Sequence, residues 1–194
     1  MTSRNAWKNT ERRHSRLIGT TRTPLSGSNG KVTSSDSFSN YWYLESKHRS
    51  SFPAFEGFME VSERALGRNL KPAIVYHKTG FHNPFADRFV MMKFMDFVSS
   101  TAAIHPAAHE SDLESFFLGN WYIENRYVSD PPLLTLFNDT SVKAAQEDKV
   151  PIIGIHVSGR KTDLVFTSLD IFLRHVIRSE PVPVIHSIYR TGRR

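Results

Sequence analysis

A glutamate and a lysine stand two residues apart in the aromatic segment 41–48, at Glu45 and Lys47. The alternating pattern of this segment predicts a β-strand, on which both side chains point to the same side. A carboxylate can hold a divalent cation, which polarises a phosphate and lowers the pKa of a bound water. A neighbouring ammonium can orient that water or stabilise developing negative charge. The pair is therefore suited to the hydrolysis of a phosphodiester.

Two further acidic residues precede this pair. Asp36 lies nine residues before Glu45, and Glu11 lies nearer the start of the chain. Taken alone, a Glu-x-Lys pair is most often a solvated surface pair, and Asp36 is most often a turn residue. A magnesium site, however, needs several oxygen ligands. The combination favours a single cation site built from Glu11, Asp36 and Glu45.

The excess positive charge of the chain lies in its first quarter. Residues 1–50 contain nine Lys and Arg against three acids, and the other 144 residues contain 16 of each, so the first 50 carry the whole net charge of +6. Such a bias is typical of a phosphate-binding surface, because each neutralised phosphate releases counterions. A disordered basic arm is the alternative. The absence of cysteine excludes disulfides and thiolate metal sites.

Predicted helices and strands alternate along the chain, which indicates a mixed α/β layer structure. No segment reaches the roughly 20 apolar residues needed to span a membrane, and the first residues lack an apolar signal core, so we expect a cytoplasmic protein. The predicted elements are a helix at 5–18, a strand at 20–25, a loop at 26–39, the strand at 41–48, a helix at 54–68, and strands at 73–77 and 88–94.

An internal repeat relates the two halves of the chain. A constant shift aligns 41–80 with 120–159 without a gap, and 12 of these 40 positions are identical. After a four-residue deletion, the match continues as far as Phe97 and Phe172. Repeats of this kind divide a chain into structural units. We predict a complete domain at 1–98, a linker at 99–110, a partial second copy at 111–178, and a C-terminal strand and basic tail at 179–194.

The motifs of the first copy occur in a characteristic order and spacing. They comprise Trp7, Glu11, Arg12, Leu17, Gly19, Arg22, Pro24, Ser26, Gly27, Asp36, Glu45, Ser46 and Lys47. This series resembles the PD-(D/E)xK nucleases and is most similar to their archaeal and phage Holliday junction resolvases, over about the first 98 residues. The resemblance implies a restriction-endonuclease-like mixed sheet flanked by helices. One departure is Ser35, where we would expect glycine before Asp36, so the loop geometry differs from the pattern.

The resemblance also implies a metal site for the hydrolysis of a DNA phosphodiester. Asp36 and Glu45 would bind Mg²⁺, or Mn²⁺ as a substitute, together with the backbone carbonyl of Ser46. Glu11 would complete the site or its outer shell.

Further residues take their roles from the same resemblance. Lys47 would position or activate the attacking water, and Ser26 would contact the phosphate near the cut. Phosphate contacts position DNA without reading its sequence. Such contacts are expected from Arg12, Arg13, Arg22, Lys31 and Arg49.

The second copy departs from this pattern. Glu124 corresponds to Glu45, but Arg126 replaces Lys47, and arginine is too basic to exchange protons readily. Asp112 lies twelve residues before Glu124, and the Glu11 helix has no counterpart. We therefore do not expect a second working site. The copy would extend the sheet, widen the DNA surface or replace part of a dimer partner.

The substrate stays open among several kinds of DNA. A Holliday junction resolvase is the first expectation, and a nicking or restriction-type nuclease is the alternative within the same chemistry. A DNA-binding protein that has lost catalysis is the rival from another class. Paired cuts on a symmetric substrate need two active sites, which a homodimer would supply. The histidines His77 and His156 recur in the repeat and are interpreted as structural.

Overall fold

A computed structural model provides the structure of the chain. It describes residues 39, 41–49, 54–78, 86, 88–104, 117, 119–127, 132–156 and 162–177. The predictions for the helix at 5–18, the strand at 20–25, the loop up to residue 38 and the tail from 179 lie outside these residues.

The described residues form two successive units with the same order of elements. The first copy consists of β1 (Trp42–Arg49), α1 (Ala54–Leu66), β2 (Lys71–Lys78), β3 (Arg88–Lys93) and α2 (Phe94–Ile104). The second copy consists of β4 (Trp121–Tyr127), α3 (Leu133–Gln146), β5 (Val150–His156), β6 (Leu164–Ser168) and α4 (Leu169–Phe172), which continues as a π-helical segment, Leu173–Ile177.

The predicted elements of the first copy are confirmed. The strands predicted at 41–48, 73–77 and 88–94 and the helix at 54–68 agree with β1, β2, β3 and α1 to within two residues at each end. Helix α2 was missed. Residues 99–104 belong to this helix, although a linker was expected from residue 99. The segment packs on the sheet as a helix and thereby buries Phe97 and Ser100.

The six strands in the described part of the chain join in one sheet, in the order β1-β2-β3-β6-β5-β4. The outer pairs β1–β2 and β4–β5 are parallel, and the three inner pairings are antiparallel. Trp42 lies opposite Lys71, and Trp121 lies opposite Val150, so the two outer pairs have the same register at aligned positions of the repeat. The coarse prediction of an α/β fold with a mixed sheet flanked by helices is confirmed.

The two copies meet at the centre of the sheet through β3 and β6. These strands pair antiparallel, with Met91 opposite Phe166. The two residues occupy equivalent positions, because Ile74 pairs with Met91 in the first copy and Ile153 pairs with Phe166 in the second. The junction is therefore symmetric, like the contact between the subunits of a two-fold dimer, but within one chain.

Helices cover both faces of the sheet, which explains why its strands are apolar on both sides. Helices α1 and α3 pack on one face, here called the first face, against residues such as Tyr43 and Ile153. Helix α2 and the α4 segment pack on the opposite second face, against residues such as Trp42 and Val165. Tyr43 and Trp42 thus point to opposite sides of β1, as the alternation of that strand predicted.

The turn from helix to strand has the same conformation in both copies. Asn69 and Asp148, which occupy aligned positions of the repeat, have φ angles of 55° and 53°. The N–H of Leu70 donates to the carbonyl of Ala65 at 3.1 Å, and that of Lys149 donates to the carbonyl of Ala144 at 2.9 Å. Such bonds satisfy carbonyls at the end of a helix, and Asn and Asp tolerate the left-handed conformation better than most residues.

Three aromatic side chains hold the two copies together on the first face. Phe89 of β3 stacks on Phe166 of β6 with ring centroids 5.2 Å apart and an interplanar angle of 8°. Phe137 of α3 meets both rings edge-on, at 5.3 Å and 6.2 Å. All three are buried, so the apolar core is continuous across the junction.

Within the described residues, no helix has both the length and the apolar character to cross a membrane.

The continuous core predicts that both copies unfold together. Trp42 reports on the first copy and Trp121 on the second, once Trp7 and the other tryptophan are replaced by phenylalanine. We expect equal urea midpoints for the two reporters. Adding Phe166→Ala should lower the unfolding free energy by about 3–5 kcal/mol, and both urea midpoints should fall together. The exposed Met95→Ala is the control, and separate midpoints for the two reporters would contradict a shared core.

A buried carboxylate on α2 predicts a pH dependence of stability. Burial raises the pKa of Asp96 above its ordinary value, against the opposing effect of Lys93 and Lys71. Its Oδ2 is buried and has no hydrogen-bond partner among the described residues. Ionisation therefore costs more in the folded than in the unfolded chain, and stability falls as the pH rises through the folded pKa.

We expect Asp96→Asn to unfold at a higher temperature than the wild type at pH 7. The difference should shrink below about pH 4, where Asp96 is protonated in the unfolded chain as well. Thermal unfolding followed by circular dichroism from pH 3 to pH 8 measures this effect. Asp170→Asn, at an exposed position in the first turn of α4, is the matched control. Parallel pH curves for the wild type and Asp96→Asn would refute the assignment.

Candidate functional site

Glu45 and Lys47 lie side by side on β1, as the sequence predicted. The Nζ of Lys47 is 2.6 Å from Oε1 of Glu45. Only 14% of the Glu45 side chain and 24% of the Lys47 side chain are exposed. Both residues share the first face with Tyr43, two residues earlier on the strand. A partly buried carboxylate next to an ammonium can bind a cation through its second oxygen while the ammonium contacts a water or a phosphate.

Helix α1 brings a second basic group to this pair. Burial lowers the pKa of Arg64, but the charges of Glu60 and Glu45 and a hydrogen bond with Tyr43 outweigh it and raise the pKa above its ordinary value. Arg64 also forms an ion pair with Glu60, one helical turn earlier. The guanidinium therefore stays charged near Glu45. It was not predicted as a site residue.

The other predicted site residues fall into two groups. Ser46 lies between Glu45 and Lys47, and its side chain is buried on the side away from them. Arg49 is the last residue of β1. The remaining predictions concern residues outside the part of the chain that the structure describes: Glu11, Arg12, Arg13, Arg22, Ser26, Lys31 and Asp36.

A metal ion at Glu45 would also need ligands from residues outside the described part of the chain. Within the described ranges, no three His, Asp or Glu side chains come together in a way that could hold a metal. Glu45 supplies one hard oxygen donor, the type of ligand that magnesium prefers. Its carboxylate is compatible with a magnesium site, provided that Glu11 and Asp36 complete it.

The second copy repeats the arrangement around the glutamate. Glu124 of β4 pairs with Arg126 through Oε1 at 2.6 Å and with Lys143 of α3 through Oε2 at 3.5 Å. The Glu124 side chain is 16% exposed, almost the same as Glu45. Lys143 aligns with Arg64 in the repeat, so both copies place a base on the helix beside the glutamate. This recurrence of a basic residue is the sequence signal that could have identified Arg64.

A different group of polar residues lies where β4 and β5 end. The Nδ1 of His156 is 2.6 Å from Oδ1 of Asp163, and its ring stacks on Tyr127 with centroids 4.8 Å apart. The His156 side chain is 44% exposed. His156 therefore makes polar contacts at the surface, which its interpretation as a structural histidine did not anticipate. The sequence signal was Asp163, which follows His156 closely and lies just before β6.

Comparison with known proteins finds no matching family model, no matching curated protein and no matching solved structure. The chain itself offers one further comparison, between its two copies. They agree in the glutamate of the first strand and in the two basic residues beside it. They differ at the last residue of β4, which is Tyr127, and at the residue before β6, which is Asp163.

Proposed function

We propose that the chain is a magnesium-dependent endodeoxyribonuclease whose active site includes Glu45 and Lys47. The observation that carries the proposal is the ion pair on β1, in which a carboxylate and an ammonium lie 2.6 Å apart on one face of a strand and stay partly exposed. The proposal also depends on the resemblance of the N-terminal motifs to PD-(D/E)xK nucleases. Glu11 and Asp36 would be the further metal ligands.

Each residue of the described part contributes a defined capacity to this site. Glu45 offers a carboxylate oxygen that is not engaged by Lys47. The Lys47 ammonium can hold a water in place for attack on phosphorus, or stabilise charge on the leaving oxygen. Arg64 adds a permanent positive charge that favours a phosphate close by. When bound, Mg²⁺ would polarise the phosphate and make the attacking water more acidic.

The preferred substrate in this proposal is a four-way DNA junction, and duplex or nicked DNA is the alternative. Arg12, Arg13, Arg22, Lys31 and Arg49 would contact phosphates. A homodimer would provide the two sites that paired cuts require. The internal symmetry of the chain offers another arrangement, in which the second copy takes the place of part of a partner subunit.

The proposal predicts metal-dependent cleavage that requires Glu45 and Lys47. Labelled four-way junction, flap, duplex and single-stranded DNA are incubated with the protein in Mg²⁺ or in EDTA. We expect cleavage only in Mg²⁺, and a loss of about 100-fold or more in Glu45→Gln and in Lys47→Met, because each removes a group that acts in the transition state.

The second copy provides the matched controls. Glu124→Gln and Arg126→Met remove the equivalent ion pair and should change the cleavage rate by no more than about threefold, since no second working site is expected. Circular dichroism checks that every variant is folded. Cleavage that persists in Glu45→Gln would overturn the assignment. Binding of DNA without cleavage in any metal would instead favour a DNA-binding protein that has lost catalysis.

A further inference from the structure

A cleft of about 360 Å³ opens at the end of the sheet where β4 and β5 finish. Residues of both strands line it, together with the start of α2 and the residue before β6. They are Phe94, Asn125, Arg126, Tyr127, Gly154, Ile155, His156 and Asp163. The volume lies at the small end of the range for ligand pockets in proteins, which suits a single ring system with few substituents.

Two neighbouring residues that line this cleft differ from their counterparts in the first copy. Ser46 lies opposite Val75 in β1–β2, whereas Asn125 lies opposite Gly154 in β4–β5. A Cβ atom at Gly154 would overlap Oδ1 of Asn125. The larger residue of the pair therefore lies on the second strand in the first copy and on the first strand in the second copy. The exchange places an amide over a glycine where the first copy has a buried valine.

Other differences between the copies gather at the same place. Tyr127 corresponds to His48 in the aligned repeat, and Asp163 corresponds to Arg88 after the four-residue deletion. His156 corresponds to His77, so the histidine is retained while its neighbours change. Tyr127 and Asp163 thus place an aromatic ring and a carboxylate against the retained histidine.

The cleft combines flat rings with hydrogen-bonding groups. Tyr127 and His156 are stacked with an interplanar angle of 16°, and Tyr127 is 67% exposed. The bond from His156 to Asp163 uses Nδ1, so a ligand would meet Nε2, and the carboxylate fixes the orientation of the ring. The Asn125 amide offers a donor and an acceptor side by side, the pattern that matches a nucleobase edge such as that of adenine.

We propose that this cleft binds one unpaired nucleobase. The base would stack on the ring of Tyr127 or on Phe94, as bases do on aromatic side chains of proteins that bind single strands. Asn125 and Nε2 of His156 would contact its edge. A free nucleotide and a base within a single strand share this chemistry.

The proposed site is separate from the Glu45 site. Glu45 lies on β1 and the cleft on β4 and β5, which are at opposite edges of the six-stranded sheet. Five interstrand spacings of ~4.8 Å place the two edges about 24 Å apart. Glu45 also belongs to the first face, whereas Asn125 and His156 alternate to the second. The inference therefore goes beyond the nuclease proposal and does not depend on it.

Calorimetric titration of the full chain tests this site. The probes are dAMP, dCMP, dGMP, TMP and a ten-residue oligodeoxyadenylate, all in EDTA so that no cleavage occurs. We expect saturable binding of at least one probe by the wild type. Binding should weaken about tenfold or more in Tyr127→Ala, which removes the stacking surface, and in Gly154→Val, which fills the cleft with the residue found in the first copy.

The controls separate loss of this site from unfolding and from changes elsewhere in the chain. Asp170→Asn, at an exposed position outside the cleft, should bind within about twofold of the wild type. Saturation by mononucleotides would identify a free nucleotide as the source of the base, and saturation by the oligonucleotide alone would identify a single strand. Circular dichroism establishes that Gly154→Val is folded. The absence of binding for every probe, or binding unchanged in both Tyr127→Ala and Gly154→Val, would overturn the inference.

Discussion

The antiparallel pairing of β3 with β6 is the interaction on which the rest of the molecule depends. Met91 and Phe166 lie opposite each other at equivalent positions of the two copies, so the junction is symmetric. The stack of Phe89 on Phe166 makes the core continuous across it. A two-fold axis perpendicular to a sheet maps each face of the sheet onto itself. Equivalent helices therefore lie on the same face, α1 with α3 on the first and α2 with the α4 segment on the second. Helix α2 of the first copy also contacts the π-helical segment of the second copy, so the two copies pack together on the second face as well.

The same symmetry places the two glutamates at opposite edges of the sheet. Each has a basic residue two positions later on its strand and another on the adjacent helix. The copies diverge at the ends of β4 and β5, where Asn125 and Gly154 line a cleft and the first copy has Ser46 and Val75 at the aligned positions. A duplicated unit of this kind can keep its scaffold while one copy retains a catalytic role and the other acquires a binding role. The two proposals assign these roles to the first and the second copy.

The sequence was informative where local patterns decide the structure. The alternation of Trp42, Tyr43 and Leu44 indicated the strand and its two faces, and the internal repeat indicated that the chain builds a similar unit twice. The pairing of β3 with β6 could not be predicted, because no local pattern states which strands of two copies become neighbours. Arg64 was missed because its relation to Glu45 arises from the packing of α1. The cleft was missed because residues of β4, β5 and the start of α2 line it together, and only the tertiary fold brings them to one place.

Calorimetric titration of the full chain with Mn²⁺, in the absence of DNA, tests most directly whether Glu45 belongs to a metal site. Manganese has the same preference for oxygen ligands as magnesium. The proposal predicts saturable binding by the wild type that is abolished or weakened at least tenfold in Glu45→Gln and in Asp36→Asn, and unchanged in Glu124→Gln. Saturable binding that is equal in the wild type and Glu45→Gln, or no binding by the wild type, would contradict the proposal that Glu45 and Asp36 hold the catalytic cation.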